Sequence, residues 1–224
     1  MTLDGFCDHT SGVPDEEIHQ HYADLLRSAG AALYGRITYQ LMEFWRTVLE
    51  NPTGDKAMDD FAVAIDSTPK IVFSRTLKSV DWKSAKLASQ DLEKEVLELK
   101  QQSGKDVFVC SPSLIVALTK LNLIDEYQLC VHPVIAGSGL PLFRNISEKI
   151  TLKLIKTKTF SGGAVILYYE PTNERIKKAV VSDSFYTLFH LNDEFPCQLN
   201  DAKTSFSSAS KATFPSLASH PSAA

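Results

Sequence analysis

The sequence predicts an α/β fold: a three-layer domain with a mainly parallel sheet, helices on both faces and an antiparallel strand pair at its C-terminal end. Two observations carry this. Short apolar runs, "AALY", "KIVFS" and "DVFVC", alternate with longer segments of helical period, as strands and crossover helices do. Two strand-like runs near residue 160, "TLKLIKTKTF" and "AVILYYE", then meet around Ser161-Gly162-Gly163 without a helix between them, which makes a hairpin.

Each element follows from its residues. Over 14–29, Ile18, Tyr22, Leu25 and Ala29 recur at helical spacing, and Pro14 with Asp15, Glu16 and Glu17 suits a first turn. "AALY" is a strand, and "TYQLMEFWRTVL" (38–49) is a helix. Residues 55–65 form the next helix, with Met58, Phe61, Ala62 and Ile65 on one face. "KIVFS" (70–74) is a strand, 91–104 a helix closed by Gly104, "DVFVC" (106–110) a strand and 112–123 a helix. "EYQLCVHPVIAG" (126–137) is expected as one long strand before the hairpin.

After Pro171 the composition changes. "AVVSDSFYTLFHL" (179–191) is moderately apolar without a clear period, and residues 201–224 are rich in Ser and Ala and are expected to be disordered. The domain is therefore expected to span 1–171, with 172–224 as an extension.

Bulk properties exclude several classes. The chain has 224 residues, 44% hydrophobic and 22% charged, which is ordinary for a globular protein able to bury a core. A net charge of -4 without a basic stripe argues against a general nucleic-acid binder. No apolar run is long enough to span a bilayer, and "MTLDGFCDHT" does not read as a signal peptide. The four cysteines form no CxxC pair and the six histidines no metal spacing, so a metal site is not expected and the setting is read as reducing and cytoplasmic.

In open α/β sheets ligands sit beyond the carboxyl ends of the parallel strands. Three such ends carry groups suited to phosphate. Gly35-Arg36-Ile37-Thr38 combines a glycine, a cation and a hydroxyl at a strand-to-helix joint. Ser74-Arg75-Thr76 sets an arginine between two hydroxyls, suited to a phosphate monoester. Ser111-Pro112-Ser113 is a helix start whose N–H groups point outward. Taken singly, each also fits a turn, a surface arginine or a plain cap; together they point to an anion site.

The segments "TLDGF", "YGRITY", "KIVFSRTL", "VFVCSPSLIVAL", "LIDEYQLCVHPVIAGSGLPLF" and "TFSGGAVILYYEP" occur in an order that resembles the dihydrofolate-reductase-like superfamily. The similarity is greatest to the branch of the C-terminal reductase domain in riboflavin biosynthesis, and it covers roughly residues 1–171. The resemblance implies an NADPH-dependent oxidoreductase acting on a small heterocyclic or carbonyl-type substrate, commonly a homodimer. It implies that Arg36 and Thr38 hold the cofactor's phosphates and that the Ser111–Leu114 loop lies along the pyrophosphate. Ser74 and Arg75, with Thr76, would take the 2′-phosphate, and Thr2, Asp4 and Gly5 would lie near the nicotinamide.

The acid that donates a proton in true dihydrofolate reductases sits on the first helix. Asp15, Glu16 and Glu17 all lie in that region, with Glu16 carried as the candidate. Asp4 is the candidate substrate-facing carboxylate, or else a turn residue before Gly5.

The sequence also departs from the family pattern. Cys110 stands where glycine is usual and is expected to crowd the cofactor, and Phe108-Val109 replace a stretch that contacts the riboflavin-pathway substrate. The apolar strand that family members carry ahead of "SLDG" is not seen before Thr2. Its slot could stay open, be filled by 179–191, or take a partner's strand; an open or poorly filled gap is expected.

Overall fold

A computed structural model describes residues 1–7, 12, 14–102, 104–172 and the backbone of 185–189. These lie within one compact unit, Met1–Asp193, and the expected disorder over 201–224 falls outside the described residues.

The chain enters α1 (Glu16–Ser28), where the Asp15 carboxylate caps the helix by accepting the Ile18 N–H at 2.9 Å. Strand β1 (Ala31–Gly35) follows, then α2 (Arg36–Met42), α3 (Phe44–Glu50) and α4 (Lys56–Ser67). The single helix expected over 38–49 is thus two, meeting at Glu43, whose backbone keeps helical angles. Next come β2 (Lys70–Phe73), a three-residue strand β3 (Ala85–Leu87) that has no clear sequence signal, α5 (Leu92–Lys100) and β4 (Val107–Val109). Helix α6 (Pro112–Lys120) starts with proline in its first turn. Strand β5 (Glu126–Val131) is shorter than expected: Pro133 cannot donate to a ladder, and 132–142 instead pairs with the chain's first residues. The hairpin β6 (Leu152–Thr159) and β7 (Val165–Pro171) and the strand β8 (Phe185–Phe189) complete the set.

The sheet order is β3-β2-β1-β4-β8-β5-β7-β6. Strands β3 through β5 in that order pair in parallel, and β7 and β6 add antiparallel pairs at one side. Alternation along each strand feeds two cores. Ala32, Tyr34, Val72, Phe108, Cys130 and Ile166 meet α1 to α4, while Leu33, Ile71, Val109 and Leu129 meet α5 and α6. The expected layered α/β architecture, with helices on both faces, is what the chain forms.

Strand β8 corrects one expectation. It lies between β4 and β5 and pairs in parallel with both, Phe108 opposite Tyr186 and Gln128 opposite Leu188. The central gap is therefore filled by part of segment 179–191, and the sheet extends past Pro171. A strand flanked on both sides joins what would otherwise be two shorter sheets.

Candidate functional site

Parallel pairing brings the carboxyl ends of β1, β2, β4 and β5 to one edge of the sheet. A cavity of about 360 Å³ opens there. One wall is the start of α2, with Gly35, Arg36, Ile37 and Thr38; Phe73, at the end of β2, and Leu41 lie beside it. A second wall is the start of α6, with Pro112, Ser113 and Leu114. A third consists of Cys7, Leu140 and Arg144. Among the described residues two arginines line this space and no carboxylate does.

Local bonds hold the walls. The Gly35 N–H donates to the Ser111 hydroxyl at 2.8 Å, and the Cys110 N–H donates to the Leu33 carbonyl at 3.0 Å. Ser111 is buried and acts as a brace between two strand ends, whereas Ser113 is exposed at the cavity. Gly35 has an ordinary φ of -78°, and an added Cβ would lie 3.4 Å from the Ser113 Oγ. Neither an unusual backbone angle nor crowding therefore requires glycine here, since an added Cβ would make ordinary contact with the two serines. In α6 the Ile115 N–H bonds back to Ser111 at 2.9 Å, so the N–H groups of Ser113 and Leu114 precede the intrahelical ladder. The Arg36 guanidinium donates to the Gln40 side chain at 3.0 Å, one turn along α2.

Ser74, Arg75 and Thr76 follow Phe73 directly. The Ser74 hydroxyl accepts the N–H groups of Thr76 at 3.1 Å and Leu77 at 2.9 Å, a turn that leaves Arg75 exposed. Cys110 does not crowd the cavity as the sequence suggests. It is buried in the core with Tyr34 and Phe108, and burial pushes its thiol up to about 12.

Thr2, Asp4 and Gly5 lie outside the cavity walls, in a clasp with residues 132–142. Thr2 bridges to His132, Phe6 to Pro141, and the Leu142 N–H donates to the Gly5 carbonyl at 3.1 Å. Gly5 has φ +89°, a conformation that favours glycine. Asp4 accepts the Thr2 hydroxyl at 2.6 Å and the N–H groups of Gly137 at 2.7 Å and Ala136 at 3.2 Å. The Thr2 bond, then that from Gly137, holds its carboxyl below the usual range, so it is an ionised acceptor bracing a loop.

Glu16 lies elsewhere, in a separate groove with Glu17, His21, Asp24 and Lys158. The structure thus gathers Gly35, Arg36, Thr38, Pro112, Ser113 and Leu114 into one cavity, sets Ser74-Arg75-Thr76 beside it, and keeps Asp4 and Glu16 apart. Arg144, Leu140 and Cys7 are cavity residues that strand-end reasoning misses, because they come from the loop and the N-terminal clasp.

The RibD C-terminal domain model matches residues 1–166. The chain belongs to this family. It is 35% identical over 173 residues to the uncharacterized protein YyaP of Bacillus subtilis (strain 168), covering 75% of this chain and 90% of that protein. Among solved structures, a putative riboflavin biosynthesis protein from Shewanella sp. PV-4 superposes with a TM-score of 0.58 at 19% identity, over 77% of this chain and 96% of that one. A pyrimidine reductase-like protein from Corynebacterium diphtheriae gives 0.52 at 14% identity, over 78% and 90%. These likenesses establish the dihydrofolate-reductase-like fold, and membership of the RibD branch puts the chain in a superfamily of NADPH-type reductases. Among the described residues no helix is long and apolar enough to cross a membrane, and no side-chain cluster could hold a metal ion.

Proposed function

We propose that the chain is an NADPH-dependent reductase of a small heterocyclic or carbonyl-type substrate. One observation carries this: the cavity at the carboxyl edge of the sheet has two guanidinium groups, a serine hydroxyl and outward N–H groups on its walls and, among the described residues, no carboxylate. That donor set fits a polyanion. The strand order supports the length as well. From β2, where Arg75 follows, to β5, where the clasp begins, is four strand spacings, about 19 Å, the span of an extended dinucleotide.

In this reading Arg36, Thr38 and the start of α6 hold the shared phosphates. Ser74, Arg75 and Thr76 take the 2′-phosphate. Thr2, Asp4 and Gly5 fix the loop against which the nicotinamide end would lie, with Asp4 holding Ala136 and Gly137 in place. Bound NADPH supplies the hydride; the chain supplies orientation and charge placement. A reducing, cytoplasmic setting suits the free thiols of Cys7, Cys110 and Cys130 and belongs to the same proposal. So does a homodimer, supported by the edge strand β6 with Leu154 and Ile155 exposed.

A second reading, a non-catalytic nucleotide-binding protein, is favoured by one fact: Asp4 is held ionised and Glu16 lines a different groove, so neither candidate acid reaches the cavity. Incubation with NADPH and a panel of carbonyl and heterocyclic compounds separates the two. Substrate-dependent loss of NADPH absorbance supports the reductase; tight binding without turnover supports the alternative.

A further inference from the structure

The third wall of the cavity carries a cation that neither the strand-end motifs nor the family resemblance assigns. Arg144 follows the clasp, two residues after Leu142, which is buried and tied to Gly5. That anchor fixes where the arginine leaves the loop. It lines the same cavity as Arg36, and among the described residues neither arginine has an ion pair. Arg36 is steadied by Gln40, whereas among the described residues Arg144 has no such neighbour in the hydrogen-bond network.

Two like charges on the walls of one cavity repel, though both arginines are exposed and solvent weakens that repulsion. An anion between them reverses the sign of both interactions. The surroundings favour one with two linked phosphates. The start of α6 adds outward N–H groups on a third side, and the single-phosphate triplet Ser74-Arg75-Thr76 lies outside the cavity wall.

We propose that Arg144 is a second phosphate-binding arginine, reaching the pyrophosphate of the dinucleotide from the loop that follows the clasp, whereas Arg36 reaches it from the start of α2. The inference rests on the cofactor reading above and adds a residue to it. Because the pyrophosphate is common to NADPH and NADH, Arg144 contributes affinity for both, whereas Arg75 discriminates between them.

The test is a titration of the full chain and of Arg144→Ala and Arg144→Lys with NADPH, NADH and inorganic pyrophosphate. Arg144 is exposed, so both variants should melt with the parent. Arg144→Ala should bind NADPH and NADH more weakly by the same factor, about ten-fold or more, since charge-assisted bonds are lost. Arg144→Lys should recover part of that, because it restores the charge but not the two-pronged geometry. A parent that binds NADPH and an alanine variant that binds it equally well would overturn the Arg144 assignment and leave the cofactor reading standing. So would a loss confined to NADPH. If the parent binds neither dinucleotide, the cofactor reading fails, and pyrophosphate decides for Arg144. Binding that Arg144→Ala abolishes supports a pyrophosphate site; no binding overturns it.

Discussion

Deleting everything after Thr172 removes β8 from the middle of the sheet, and the structure sets the size of the loss. Three register pairs tie β8 to β4 and four tie it to β5. The bonds themselves give little surplus, because ordering five residues costs roughly 1–2 kcal/mol each while each hydrogen bond returns about 1 kcal/mol net. The slot left behind matters more. A strand of five residues is about 17 Å long and one spacing is about 4.8 Å, so the slot exposes roughly 80 Å² on each face. Those faces border Phe108 and Cys130 on one side and Val109 and Leu129 on the other. At about 25 cal/mol per Å² the two faces amount to roughly 4 kcal/mol. For a domain of this size that corresponds to a fall of about 8–16 °C in melting temperature. Thermal melts followed by circular dichroism on residues 1–172, 1–193 and the full chain measure it. The shortest chain should melt well below the others, and 1–193 should match the full chain. If 1–172 melts with the full chain, β8 does not hold the sheet together.

Two further perturbations test the site's framework. Ser111→Ala leaves the buried Gly35 N–H without its partner, a loss of about 1–3 kcal/mol, and denaturant unfolding should show it; an unchanged midpoint would deny Ser111 its bracing role. Burial, and for His132 the N-terminal ammonium, pushes His132 down to about 4, and burial with Lys158 does the same to His21. The unfolded chain therefore takes up more protons, and stability should be fully present above about pH 6.5 and decline as pH falls toward 4. His132→Gln should flatten that decline, and melts across this range that coincide with the parent would refute it.

Much of the fold is legible because its elements carry strong periods or caps. Ile18, Tyr22 and Leu26 define the buried stripe of α1, Asp55 and Asp91 cap their helices, and Pro112 marks the start of α6. Strand β8 is not legible. A strand with parallel neighbours on both sides carries no obligatory alternation, and "AVVSDSFYTLFHL" shows none. The cavity was legible in outline at Gly35-Arg36 and Ser111-Pro112, because strand ends and helix starts are local features. Which way a side chain turns is not local: the Ser111 hydroxyl is drawn inward by the Gly35 N–H, and Cys110 turns into the core. Arg144 was hidden for a related reason. It reaches the cavity through the pairing of Met1–Cys7 with 132–142, a contact between segments more than a hundred residues apart.

If the carboxyl edge of this sheet binds NADPH as proposed, Arg75 reads its extra phosphate. Titrating NADPH and NADH into the parent and into Arg75→Ala tests it most directly. The parent should bind NADPH about ten-fold or more tightly than NADH, the scale of a charged hydrogen bond, and Arg75→Ala should lose that preference with NADH binding nearly unchanged. Equal affinities in the parent, or a preference that survives the substitution, would rule out Arg75 as the reader of the 2′-phosphate.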